Sequence, residues 1–394
     1  MSTADPESER RLFEQKQARR WVGWALVAWV VTFLAVRAYV AGHGGYLTTW
    51  DAAWYETIAQ RGYVFDGNIA RQQSVAFLPA YPYVLRLLLM LGLSSPVAVT
   101  LLCAGSAVGG VALLHGALSA KVGPTMSAKA CVLLVASPFS FYFLNGYSES
   151  LFLLAAGAFW WALLRRQDQV LAALFAGLAG LVRPFGIVLA LVWAVDVVLH
   201  ARRAKAPLGE TAIRLVAYGP VAIMGPLMSC LYYAYRFGDL FLYRNILIAW
   251  GDNILTGGPY EPFDHLRFQW RMLMELHPTA MLSWAPELAR LMLWASLATV
   301  VATIRRLPPQ LVIYAFGLIA FCFCTTLGGA NLGRHLATDI ALPVAVTLLL
   351  FPATAGATDR SSSWRRIAFA AIVLASFAIQ MSYAALQLHA GWVS

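Results

Sequence analysis

The chain has 394 residues, 60% of them hydrophobic and 12% charged, with a mean hydropathy of +0.65 and a formal net charge of +10. That composition excludes an ordinary water-soluble fold, and basic residues set as short clusters between apolar runs exclude a continuous nucleic-acid-binding surface. The apolar runs recur from residue 21 to residue 388 with no long polar interval, which predicts a cytoplasmic tail (1–20) followed by one all-α, polytopic integral-membrane domain (21–394).

The path follows from two rules: about 20 residues cross the hydrocarbon, and Lys and Arg of short loops stay on the cytoplasmic side. No small-residue cleavage site follows the first apolar run, so residues 21–40 are read as an outward crossing. Residues 41–95 form an outer segment, and 96–118 return to deliver Lys121 and Lys129 to the cytoplasm. Within the outer segment, residues 77–92 (FLPAYPYVLRLLLMLG) are assigned to a helix lying along the membrane surface. Counting them as a crossing would invert every later basic loop, and Pro79, Pro82 and Arg86 interrupt the run.

Residues 130–144 go out, Asn145–Glu149 turn, and 150–164 return to Arg165 and Arg166. Residues 170–199 are bracketed by basic residues at both ends, so they are predicted as two short helices around an outer turn at Arg183-Pro184. Residues 211–235 exit, 236–285 form a second large outer segment, and 286–304 return to Arg305 and Arg306. Residues 308–325 exit to the loop at 327–335, 336–352 re-enter, and 367–388 exit again. The result is about eleven transmembrane helices, a cytoplasmic N-terminus, and an outer side carrying eleven arginines and no lysine. Such arginines need either acidic partners of their own or an anionic ligand. The five cysteines, at 103, 131, 230, 322 and 324, lie in or beside apolar runs and are read as small buried hydrophobes.

Candidate chemistry collects in the outer turns. Trp50 to Arg61 is predicted as a three-turn helix ended by Gly62, with Asp51 at its start, Tyr55 one turn on and Glu56 turned aside. Asp51 either steadies the first turn, where free N–H groups favour a carboxylate, or acts as an acid, base or ligand. Glu149 enters an apolar run where an ionised carboxylate is costly, so it pairs with an arginine or contacts substrate. Arg183 sits deep at its turn, and Arg334 with His335 follows a glycine-rich loop that either turns between helices or brings N–H groups to an anion. Arg244, in the second outer segment, is a further candidate for a phosphate. His265 and His277 have no metal-ligand spacing; no metal or other cofactor is predicted, a divalent ion being optional. Arginines beside a carboxylate suit transfer from a lipid phosphate. A lipid-linked-sugar transporter or flippase, and a non-catalytic scaffold, are the alternatives.

The residues WDAAWYETIAQRGY (50–63), SVAFLPAYPYVLRLL (74–88), NGYSESLFLLAAGAF (145–159) and LAGLVRPFGIVLAL (178–191), with a looser GRHLATDIALP (333–343), resemble the PIG-V family of GT-C membrane glycosyltransferases. The resemblance runs in order over most of the chain. FLPAYP stands where FFPLYP is more usual. The resemblance implies a GT-C fold and an inverting α-mannosyltransferase. Its donor would be polyprenyl-phosphate mannose, and its acceptor an extracytoplasmic lipid, glycan or protein hydroxyl. It further implies Asp51 as catalytic base, and Tyr55, Glu56, Tyr81, Tyr147, Glu149, Arg183, Arg334 and His335 around the substrates. The alanine-rich helices and basic tail point to a bacterial cytoplasmic membrane, with membrane lipids around the protein and the site on the extracytoplasmic side.

Overall fold

Every regular element among the described residues of the computed structural model (6–43, 50–250, 284–325, 331–352 and 359–389) is helical. The first helix, α1 (Pro6–Gly42), is 37 residues long. Residues 6–20, read from their charge as a separate tail, continue it without a break. Nothing between Pro6 and Gly23 interrupts a helix, and good helix formers fill the stretch, with Arg10 reaching Glu14 one turn on.

Four described helices are long and apolar enough to cross a membrane alone: α1, α4 (Ser95–Val122), α12 (Trp284–Thr303) and α16 (Asp359–Leu388). A fifth crossing appears if α9 (Leu208–Ala222) and α10 (Met224–Phe237), bent by 50° at their junction, are taken together. The sequence-based count of about eleven is therefore not reproduced as eleven full-length helices. Several expected crossings are instead short, including α5 (Pro124–Ala136), α7 (Gln169–Val182), α13 (Pro309–Thr325) and α15 (Ala341–Leu350). At about 1.5 Å per residue a 14-residue helix covers only about 21 Å.

The breaks have local causes. Pro138 holds Ser137 in an extended conformation, so α5 stops at Ala136 and the expected 130–144 run divides. The Leu134 carbonyl left at that end accepts from Ser140, and Gln380 of α16 donates to the carbonyls of Val135 and Ser137 at 3.0 and 2.7 Å. Pro226 cannot bond back to Ala222, and the expected 211–235 crossing bends there. Asp339 accepts from the backbone of Ala341 and Leu342, so the expected 336–352 run becomes α14 (Leu332–Ala337) and α15. The turn at Arg183-Pro184 falls between α7 and α8 (Gly186–Arg203), where the sequence puts it.

Small residues set the closest approaches. A Cβ on Gly157 of α6 (Glu149–Trp160) would lie 2.4 Å from the Gly110 carbonyl oxygen of α4, and one on Gly225 of α10 would lie 2.3 Å from the backbone of Gly180 in α7. Backbones this close give van der Waals contact where lipid offers no hydrophobic drive between helices. One buried cluster runs through α1, α4 to α8 and α12 to α16, while a second lies under α2 (Asp51–Arg61) and α3 (Ala80–Met90).

Four of the outer arginines, Arg71, Arg183, Arg290 and Arg334, pair with acids. Arg71 pairs with Asp66 at 2.6 Å in a loop also tied by Gln73, and Arg290 pairs with Glu287 at 2.5 Å. Residues 251–283, with His265 and His277, and residues 327–330 of the glycine-rich loop lie outside the described residues.

Candidate active site

Two of the outer arginines, Arg183 and Arg334, meet the two carboxylates singled out from the sequence. Asp51 stands in the first turn of α2, which ends at Gly62 with φ +83. The residue before it, Trp50, has φ 54 and its side chain makes no capping bond. The Asp51 carboxylate turns instead to Arg334, whose Nη1 donates to Oδ2 at 2.5 Å.

Arg334 belongs to α14 and joins the two acids: its Nε donates to Glu149 Oε1 at 2.5 Å. Arg183, from the turn between α7 and α8, forms an ion pair with the same oxygen, its Nη1 2.6 Å away. Glu149 is completely buried, and Asp51, Arg183 and Arg334 are buried to within a tenth of their surface. Two cations and two anions leave the group neutral, which is what allows four charges to sit away from water. Among the described residues no three His, Cys, Asp or Glu side chains gather closely enough to hold a metal ion.

The surrounding shell fixes the group in place. Tyr55 donates its hydroxyl to Ser148 Oγ at 2.8 Å, and Arg183 Nη1 donates to that same oxygen at 3.3 Å. Burial, then the carboxylates of Asp51 and Glu149, push the Tyr55 phenol up to about 12, so it remains a donor at neutral pH. The Arg334 guanidinium lies over the Tyr147 ring at 4.8 Å. Tyr147 in turn accepts from Gln387 of α16 at 2.7 Å, and Gln387 accepts from Asn145 at 2.8 Å. Asn331 accepts a weaker bond from Arg334 at 3.3 Å.

Gly146 brings the turn before Glu149 against α2. Its φ is +84, and a Cβ there would lie 2.9 Å from the Cβ of Ala52, the residue after Asp51. Gly146→Ala is expected to destabilise the protein by about 1–3 kcal/mol. A thermal-unfolding midpoint unchanged from wild type would refute this account of the turn.

The remaining sequence candidates fall elsewhere. Tyr81 is fully buried, bonded to Cys103 at 3.2 Å and packed edge-on to Tyr55, so it backs Tyr55 instead of facing the charged group. Glu56 accepts from Gln60 at 3.4 Å on another side of α2. His335 is half-buried and packs edge-on against Phe321. Arg244 is exposed on the short helix Leu242–Ile246. Asn331 and Gln387 were not singled out from the sequence, and Ser148 was read only as part of the outer turn and motif with Tyr147 and Glu149.

Comparison with known proteins bears on the family and the fold. Residues 29–237 match the family described as Mannosyltransferase (PIG-V). No curated protein sequence matches the chain significantly. Its fold is similar to that of ArnT from Cupriavidus metallidurans bound to undecaprenyl phosphate, at TM-score 0.53 and 17% identity, over 96% of this chain and 77% of that one. It is also similar to the oligosaccharyltransferase AglB from Archaeoglobus fulgidus in complex with an inhibitory peptide and a dolichol-phosphate, at TM-score 0.52 and 12% identity over 94% of this chain. The apo form of the Archaeoglobus fulgidus oligosaccharyltransferase matches at TM-score 0.56 and 13% identity over 95% of this chain. The chain spans 56% of the length of either archaeal structure. The family match covers more than half of the sequence, and the motifs it contains supply Asp51, Glu149 and Arg183. The chain belongs to the family described as Mannosyltransferase (PIG-V) and has a polytopic membrane fold.

Proposed function

We propose that this protein transfers mannose from polyprenyl-phosphate mannose to a hydroxyl of an extracytoplasmic lipid, glycan or protein, with inversion at the anomeric carbon. The observation that carries the reading is the convergence of one carboxylate at the start of α2 with two guanidinium groups. Asp51 Oδ takes the proton of the acceptor hydroxyl as its oxygen bonds to the sugar C1. The bond from C1 to the phosphate oxygen breaks, and polyprenyl phosphate departs with the electron pair. That leaving group is an anion already, so it needs charge stabilisation more than a proton. The bonds just described leave Arg334 Nη2, and Nε and Nη2 of Arg183, without hydrogen-bond partners among the described residues, as donors for it. A single displacement from a β-linked donor gives an α-mannoside.

The placement of basic loops supports a cytoplasmic N-terminus, about eleven passes with several built from paired half-helices, and a site at the outer face of a bacterial cytoplasmic membrane.

The experiment is direct: membranes carrying the protein are supplied with radiolabelled polyprenyl-phosphate mannose, and labelled products are identified. Label is expected in a new, acceptor-dependent glycoside, with release of polyprenyl phosphate. Labelled donor that crosses the membrane without cleavage, or a donor series in which another sugar is transferred and mannose is not, would overturn the reading.

A further inference from the structure

We infer that Asp51 and the donor phosphate compete for Arg334, so that the incoming donor itself releases the base from its ion pair. The inference rests on the lipid-phosphate reading above. Arg334 is held from two sides that differ in kind. Through Nε it is tied to Glu149 Oε1 at 2.5 Å, and its plane lies 4.8 Å above the Tyr147 ring. Through Nη1 it holds Asp51 at 2.5 Å.

The first attachment survives loss of the second. Glu149 does not depend on Asp51: it accepts from Arg334 and is ion-paired with both Arg334 and Arg183. Tyr147 is fixed by Gln387 regardless of what Nη1 holds. Asp51 is the dependent partner: among the described residues its side chain has no hydrogen bond or ion pair except that with Arg334. Side-chain exposure follows the same order, 0% for Glu149 against 13% for Asp51, so the open side of the group is the Asp51 side.

An anion arriving there meets a neutral set of two arginines and two carboxylates. It can bond the unoccupied nitrogens of Arg334 and Arg183, but it gains an uncompensated positive charge from this set only by taking Arg334 from Asp51, and a carboxylate that loses its cation next to a bound anion gains affinity for a proton. Donor binding thus frees Asp51 from its ion pair at the moment an acceptor needs a base. By reciprocity, charge on Asp51 opposes phosphate binding by the same factor.

The test uses the full chain in detergent or lipid nanodiscs and a polyprenyl phosphate as probe, which separates binding from turnover. Asp51→Asn is expected to bind the probe about tenfold more tightly than wild type, a difference of about 1.4 kcal/mol. Arg334→Gln is expected to bind it about tenfold more weakly. Asp51→Ser provides the same comparison should the asparagine variant fold poorly. A probe that binds wild type and the Asp51 variants equally, or the variants more weakly, overturns the competition and leaves the donor reading intact. Absence of probe binding to wild type overturns the donor reading and this inference together.

Discussion

Asp51→Asn is expected to lower mannosyl transfer by about 10²-fold or more while the protein remains folded. A positioned base contributes roughly 10²–10⁴ to such a step. The substitution removes the base with little change of shape, because an amide oxygen still accepts from Arg334 Nη1 where Oδ2 does now. It does remove one of the two negative charges that balance Arg183 and Arg334, but at the most exposed of the four positions. Water and solution anions can reach that side and moderate the cost. The rate and the unfolding midpoint are therefore expected to separate: a large fall in the first and a small one in the second. Were Asp51 only a helix-stabilising group, the reverse pattern would hold. Normal turnover by folded Asp51→Asn protein, with deamidation excluded by mass, would remove the base assignment.

The separation also bears on what the sequence could reveal. Asp51, Tyr55 and Gly62 were legible because they lie within one short helix, where spacing alone decides which side chains share a face. Glu56 fell away for the same reason: five positions from Asp51, it points to a different side of α2. The turn at Arg183-Pro184 was legible because proline restricts the residue before it. The bonds that complete the site were not. Arg334 meets Asp51 across 283 positions and Glu149 across 185, and no local pattern specifies such pairs. Charge showed only that Glu149 and the outer arginines needed partners, not which partners they would find.

Crossing lengths were misjudged for a related reason. Hydropathy reports whether a segment tolerates lipid, not whether it runs straight. Pro138, Pro226 and Asp339 divide runs that are apolar on both sides of the break. The carbonyls freed at such a break are satisfied from distant helices, as Gln380 does for Val135 and Ser137. A lone glutamine in an apolar helix is weak evidence in a sequence, yet both Gln380 and Gln387 of α16 serve the region beneath the site.

Glu149→Gln carries the second large effect, this time on stability. One oxygen of Glu149 faces two buried guanidinium groups, while Oε2 has no hydrogen-bond partner among the described residues. A glutamine fits with its carbonyl oxygen in the position of Oε1, still accepting from Arg334 and beside Arg183, and its amide nitrogen in the position of Oε2. Shape and hydrogen bonds are nearly retained, so the change isolates charge. Removing one partner of a buried ion pair costs about 3–5 kcal/mol, because the cation left behind has neither water nor anion. The unfolding midpoint should fall accordingly. Arg183→Gln added to Glu149→Gln restores neutrality, leaving Asp51 with Arg334 and two amides beside them. The double variant is expected to be more stable than Glu149→Gln alone, with a coupling of about 1–3 kcal/mol, the range for groups in direct contact. Transfer should not recover with stability, since the double variant lacks one of the two guanidiniums assigned to the phosphate. Additive losses in the cycle would mean that the three charges do not share one electrostatic balance, and recovery of transfer would remove Arg183 from the donor site.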